Sequence, residues 1–347
     1  MKKEDQEIEF DYSGHLIFNE VCQVSVLDES FPSVARSAET ELLNTLPDFE
    51  QGSTYQPGSG YQRIPLRDHA ERAKLPVPSK DFINGSLILE YRYEDFDQVE
   101  ALIDGDRKEV SVPNEKTANV VWDLDGHMVF RGSETDASKA KSQTNTSTGD
   151  RVSIQSINFD QDFLLWLFER AHDSGELTDD LKISRLSDAE IAGSQDEFGG
   201  EALINDSDDI KQSDAILLGL LKGKHFAMLE GDFTLFPEGE ESATIRTEVQ
   251  REKIYVKASK AGLKNANKAE KFILSSHVAI QIVKLHEYWD NLPKKDKFVS
   301  PEFFISLIET CHERDIDLNR QPVAVLRTQA QKREESLDDY NFQLGFQ

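Results

Sequence analysis

The chain contains no run of about 18 consecutive apolar residues, so nothing in it reads as a helical membrane span. Its opening stretch, Met1-Lys2-Lys3-Glu4-Asp5-Gln6, lacks the apolar core of a secretory signal. Cysteine is scarce: Cys22 and Cys311 lie far apart and supply neither a disulfide framework nor a four-cysteine zinc site. These features point to a reducing, cytoplasmic setting with no membrane partner. The phosphate cradles Gly-x-x-x-x-Gly-Lys-Ser/Thr and Gly-x-Gly-x-x-Gly are missing, as is the Gly-x-Ser-x-Gly nucleophile elbow. That removes several common enzyme classes from the expectation. Positive charge is also in short supply, with 39 Lys and Arg against 65 Asp and Glu, a net charge of −26.

Apolar material is not lacking. Hydrophobic residues make up 38% of 347 positions, and 20 Phe, 8 Tyr and 3 Trp are spread along the chain, enough to build a packed core. The length fits about two domains. Spread evenly, the acidity would repel nucleic acid and anionic lipid alike.

Pattern along the chain predicts an α+β fold with antiparallel sheets and packed helices. Strands are expected at 16–27, 86–93, 152–157, 226–236 and 245–258, and as a pair around the Asp125-Gly126 turn within 119–131. Helices are expected at 33–46 (ended by Pro47), 160–172, 213–221 and 264–289, and after Ser300, which precedes Pro301 as an N-cap. Residues 95–103 read as a short helix and 52–60 as a loop. The segment 133–150, whose only apolar residues are alanines, reads as a helical start followed by a flexible linker or insertion. The acidic stretch 173–210 reads as loop-rich, with a strand at 181–185. These elements divide into an N-terminal mixed α+β domain (1–116), a central antiparallel-sheet and helix domain (117–290) and a helical C-terminal extension (291–347) with an acidic, aromatic tail.

The run Val120-Val121-Trp122-Asp123-Leu124-Asp125-Gly126 resembles the first motif of haloacid dehalogenase-type phosphatases, an apolar strand followed by Asp-x-Asp-Gly-Thr. The resemblance implies a magnesium-dependent phosphatase in which Asp123 is the nucleophile, Asp125 the acid/base, and both help hold Mg2+. It covers about seven residues, and His127 stands where the family has a small hydroxyl residue. An Asp-Gly hairpin accounts for the same residues. A metal-dependent nuclease would need an Asp/Glu-x-Lys triplet. It occurs at Asp106, Asp180 and Asp209, no more often than this composition gives by chance. His277 and His286 share one expected helix but fall about 180° apart around it, so they cannot chelate one ion together. Both cysteines are expected to be buried.

Charge is unevenly placed. Between 171 and 210 twelve acidic residues face only Lys182 and Arg185, a net of −10. Between 251 and 271 Arg251, Lys253, Lys257, Lys260, Lys264, Lys268 and Lys271 face only Glu252 and Glu270, a net of +5. On a helix, Lys260, Lys264, Lys268 and Lys271 would form one ridge of mutually repelling ammonium groups, which a polyanion would relieve. At the C-terminus Phe342, Leu344 and Phe346 alternate, as a strand docking on a partner would.

The function expected is that of a non-catalytic binding or adaptor protein, without a cofactor, contacting a nucleic acid or other polyanion through the lysine-rich helix. The alternatives are a magnesium-dependent phosphatase or nuclease centred on Asp123 and Asp125, and a structural subunit assembling with a protein partner through its tail.

Overall fold

The structure, a computed structural model, describes residues 14–33, 35–45, 48–53, 56–64, 66–196, 199–204, 210–239, 242–318 and 321–340. In chain order it contains β1 (His15–Val26), α1 (Ala35–Thr45), β2 (Ser59–Arg63), α2 (Leu66–Arg72), α3 (Val77–Gly85), β3 (Leu87–Ile103), β4 (Asp106–Trp122), β5 (His127–Arg131), α4 (Glu134–Thr148) and β6 (Val152–Ser156). There follow α5 (Gln161–His172), β7 (Glu176–Thr178), β8 (Leu181–Asp196), β9 (Gly199–Ile204), α6 (Asp214–Leu221), β10 (His225–Leu235) and β11 (Ala243–Gln250). The last elements are β12 (Ile254–Lys257), α7 (Lys268–Asp290), α8 (Lys294–Lys297), α9 (Pro301–Glu313) and α10 (Gln321–Lys332). The fold is α+β, with antiparallel strands and packed helices. Among the described residues no helix is long and apolar enough to cross a membrane.

Two compact units emerge. Unit 1 holds Met1–Ile157, Glu252–Ser259 and Leu263–Val283; unit 2 holds Asn158–Arg251, Lys260–Gly262 and Lys284–Gln347. The division expected at 116 falls inside the continuous strand β4.

In unit 1 the strands run in the order β2-β3-β4-β5-β1-β12, with β6 also on β1, every neighbour antiparallel. The β3–β4 hairpin is its longest pairing, from Leu87↔Trp122 to Ile103↔Asp106. Its two-residue turn, Asp104 (φ 56°) and Gly105 (φ 88°), has positive φ at both positions, the geometry that matches strand twist and that Asp-Gly supplies at low cost. Period-2 alternation then puts Leu87, Leu89, Tyr91 and Tyr93 beside Ala118, Val120 and Trp122 in one buried cluster with Met128, Phe130, Cys22 and Val24. Residues 95–103, expected as a helix, continue β3; the cross-strand partners of β4 outweigh their local pattern.

Helix α4 corrects the expected linker at 133–150. Ser133 caps it by accepting the Asp136 N–H, and Ala137, Ala140, Thr144 and Thr148 form its buried stripe. The threonines enter the core because their hydroxyls bond back to the carbonyls of Ala140 (2.8 Å) and Thr144 (2.9 Å). Tyr61, fully buried, places its hydroxyl 2.7 Å from Thr144 Oγ1. Small residues let this helix approach the sheet closely, which a search for large apolar side chains overlooks.

Unit 2 orders its strands β11-β10-β8-β7, with β9 on β8. The acidic stretch expected to be loop-rich therefore forms β7, β8 and β9 in its described part. The strand expected at 245–258 is two strands, β11 and β12, interrupted at 251–253. Helix α5, capped by the Asp160 carboxylate on the N–H groups of Asp162 and Phe163, packs on β10 and β8. Its Phe163, Leu164, Trp166, Leu167 and Phe168 are all buried. Across β10 and β11, Arg246 grips Asp232 with two hydrogen bonds (2.5 and 2.9 Å), which raises the Arg246 pKa.

The tight seat of α4 yields a stability prediction. Ala140→Leu should cost about 1–3 kcal/mol in urea unfolding through overpacking, whereas Ser142→Leu on the exposed side of the same helix should stay within about 0.5 kcal/mol of wild type.

Candidate anion-binding surface

The basic segment begins where β11 ends. Arg251 is exposed; its Nε donates to Asn158 Oδ1 (3.2 Å), and its carbonyl accepts the Phe159 N–H (2.7 Å). Lys253 lies 5.3 Å from the centre of the Tyr255 ring, and Lys257, at the end of β12, is engaged by a neighbour. Lys260 is exposed in the turn that follows, at whose end fully buried Leu263 anchors the chain. Gly262 lies so close to its surroundings that a Cβ there would meet the Thr244 carbonyl oxygen at 2.6 Å.

The helix does not begin at Lys260 or Lys264. Asn267 and Glu270 form a reciprocal cap: Asn267 Oδ1 accepts the Glu270 N–H (2.9 Å) and Glu270 Oε2 accepts the Asn267 N–H (2.9 Å). Helix α7 therefore starts at Lys268. The ridge expected of Lys260, Lys264, Lys268 and Lys271 on one helix is corrected accordingly. Only Lys268 and Lys271 are helical, while Lys260 and Lys264 occupy the preceding turns. The seven basic residues also divide between the units, with Arg251 and Lys260 in unit 2 and Lys253, Lys257, Lys264, Lys268 and Lys271 in unit 1.

What unit 1 retains is a short cationic cluster at the start of α7. Lys264 and Lys268 are exposed and Lys271 half-buried. None of the three forms an ion pair among the described residues. Glu270, the nearest acid in sequence, is committed to the cap. Lysines in a first helical turn face the positive end of the helix dipole, and their spacing brings like charges together. An arriving anion would relieve both costs.

The aspartates of the resemblance have another occupation. Asp123 is buried in the β4–β5 loop, where its Oδ1 accepts the N–H groups of Asp125 (3.0 Å) and His127 (2.9 Å) and its Oδ2 lies 3.0 Å from His127 Nδ1. The loop needs this cap, since Leu124 (φ 63°) and Gly126 (φ 123°) turn the chain through positive φ. Strands β4 and β5 pair on either side, from Asn119↔Arg131 to Trp122↔Met128, so the hairpin closes around a three-residue turn, Leu124-Asp125-Gly126, one residue longer than a two-residue Asp-Gly turn. Among the described residues no three His, Cys, Asp or Glu side chains are placed to hold a metal ion.

His277, His286 and both cysteines take part in packing. His277 stacks on Phe82 with ring centres 4.4 Å apart, and its Nδ1 lies 3.0 Å from Ser79 Oγ. His286 packs among Phe159, Phe163 and Trp289, and burial lowers its pKa despite the nearby carboxylates of Asp160 and Asp290. Burial pushes the Cys22 thiol up to about 12 and raises that of Cys311, so neither supplies a reactive thiolate at neutral pH. Phe342, Leu344 and Phe346 lie outside the described residues.

Two features escaped the sequence. Unit 2 contains a cavity of about 350 Å³ lined in part by Leu165, Leu220, Phe304, Val325 and Gln329, with Lys332 paired to both oxygens of Asp162 (2.6 and 2.8 Å) at its wall. It joins residues from five elements of the chain, which no local pattern signals. The other is the outer half of the β3–β4 hairpin, whose exposure depends on where its neighbours stop. A comparison with models of known protein families and another with curated proteins found no match.

Two outcomes are expected here. Asp123→Asn should lower stability by about 1–3 kcal/mol through the damaged loop cap; magnesium-dependent hydrolysis of phosphoesters that vanishes in this variant would instead restore the phosphatase reading. For His286, the unfolded chain takes up a proton below pH about 6.5 while the folded one resists it, so stability falls as pH drops from 7 towards the depressed native pKa. His286→Phe should therefore show a shallower loss of urea midpoint between pH 7 and 5.5 than wild type.

Proposed function

We propose that this is a non-catalytic binding or adaptor protein that contacts a nucleic acid or comparable polyanion through Lys264, Lys268 and Lys271, with Lys253 and Lys257 on the same unit. The observation that carries the reading is the set of three lysines without a carboxylate partner among the described residues, at the positive end of α7, in a chain of net charge −26. A protein with 65 acidic residues has carboxylates to spare. Leaving these ammonium groups unmatched costs stability and suits an anion supplied from outside. The surrounding acidity would repel a polyanion elsewhere on the surface and so confine it to this cluster. A cytoplasmic setting, where nucleic acid is at hand, belongs to the same proposal.

Binding of labelled single- and double-stranded DNA and RNA, followed by anisotropy across a salt series, tests this. Wild type should bind at low salt, with affinity falling steeply as salt rises. Reversal of all three lysines to Glu should abolish the binding, and their change to Gln should reduce the slope of log affinity against log salt by about 2–3. Absence of binding at low salt, or a Glu variant that binds like wild type, overturns the proposal.

A further inference from the structure

Strand β3 leaves its neighbours halfway along. On its outer side β2 pairs with it only from Leu89 to Tyr93, and the Glu94 N–H makes a last bond to the Gly58 carbonyl (2.8 Å). On the far side of β4, β5 reaches only Asn119–Trp122. From 95 to 114 the two strands pair solely with each other among the described residues, an arm about 30 Å long by strand rise. Isolated two-stranded hairpins are marginal in water, and this one exposes Val99, Leu102, Ile103 and Val112, with Leu102 74% accessible.

The two edges of the arm differ. In a two-residue hairpin the closing pair, Ile103↔Asp106, is hydrogen-bonded, so alternate residues outward from it point their N–H and C=O away from the partner strand. On β3 these are Leu102, Glu100, Gln98 and Phe96; on β4 they are Arg107, Glu109, Ser111 and Pro113. Pro113 has no N–H to offer and blocks its edge, in the way natural sheets protect exposed strands. The β3 edge carries no proline, and of its outward N–H groups that of Phe96 is held by the Asp95 carboxylate (3.0 Å). Charge follows the same division. The β3 half, 95–104, holds Asp95, Asp97, Glu100 and Asp104 without a basic residue, a net of −4, whereas in the β4 half Asp106 and Glu109 are balanced by Arg107 and Lys108.

We propose that the outer edge of β3 from Asp95 to Ile103, with Asp104 of the turn, is a docking site for an extended basic segment of a partner protein, added as a further strand. The open ladder supplies the main-chain bonds. Val99 and Ile103 on one face, with Phe96 and Leu102 on the other, receive apolar side chains, and the four exposed carboxylates receive Lys or Arg, Glu100 in exchange for Arg107 (3.5 Å) and Asp97 in exchange for the Asn114 amide (3.1 Å). A second copy of this chain is a poor occupant, because joining two such edges sets −4 against −4.

The test uses the full chain and two ten-residue peptides, both blocked at their ends and each of five Lys and five Val, one alternating and one with the residues in two blocks. At 0.15 M salt the alternating peptide should bind at least tenfold more tightly than the block peptide. Gln98→Pro, which removes an outward N–H from the open edge, should weaken it at least tenfold; Ser111→Pro, on the edge already interrupted, should leave it within twofold. Asp97→Lys with Glu100→Lys should also weaken it at least tenfold, and circular dichroism matching wild type shows that each variant is folded. Equal binding of both peptides, or a folded Gln98→Pro variant that binds like wild type, reduces the effect to nonspecific charge attraction and overturns the proposal. So does a dimer of wild type in sedimentation that Gln98→Pro dissociates, since the occupant would then be a second copy.

Discussion

The ladder between β3 and β4 constrains the rest of unit 1. A backbone buried in a sheet must satisfy its N–H and C=O groups, and once the Asp104-Gly105 turn sets the register, every later pairing inherits it. Shifting β3 by one residue against β4 would turn Tyr91 and Tyr93 away from α4 and bring Glu90 and Arg92 inward. The same ladder that organises the core also extends beyond it. Its buried half carries the aromatic residues against which α4 rests, and its outer half carries the acids and exposed aliphatic residues of the arm.

Charge is arranged by the same logic of partners. Half-buried Arg246 and Asp232 answer each other, and buried Asp123 is held by the backbone of its own loop. Glu270 spends its carboxylate on a helix cap, and the lysines around it are left to face solvent. The acidity of the whole chain therefore has less bearing on a binding partner than two local concentrations of charge, the cationic start of α7 and the anionic open edge of β3. Both lie in unit 1 and have opposite sign, so they would select different partners.

Much of the architecture could be read from residue order, and the misses share a cause. Strand β1, helix α5 and the Ser300-Pro301 start of α9 follow from β-branched runs, apolar content and capping chemistry, which act over a few residues. Helix α4 was hidden because alanine and threonine form its buried stripe, and their burial makes sense only beside the Tyr61 hydroxyl and a sheet that leaves little room. Residues 95–103 were misassigned because their pairing partners lie across a turn. The lysines were legible as a cluster of like charge, but the ridge was not, since a reciprocal cap at Asn267 starts the helix after two of them.

Composition and spacing alone determined that the chain has a core, lacks a helical membrane span and concentrates positive charge at 251–271. They also determined the hairpin around Asp125-Gly126, where glycine reaches positive φ at low cost. Only tertiary structure decided which carboxylates were already taken, which strand edge was left open and how the seven basic residues were shared between units. Those outcomes depend on groups far apart in the chain meeting or failing to meet, and a linear pattern carries no record of such encounters.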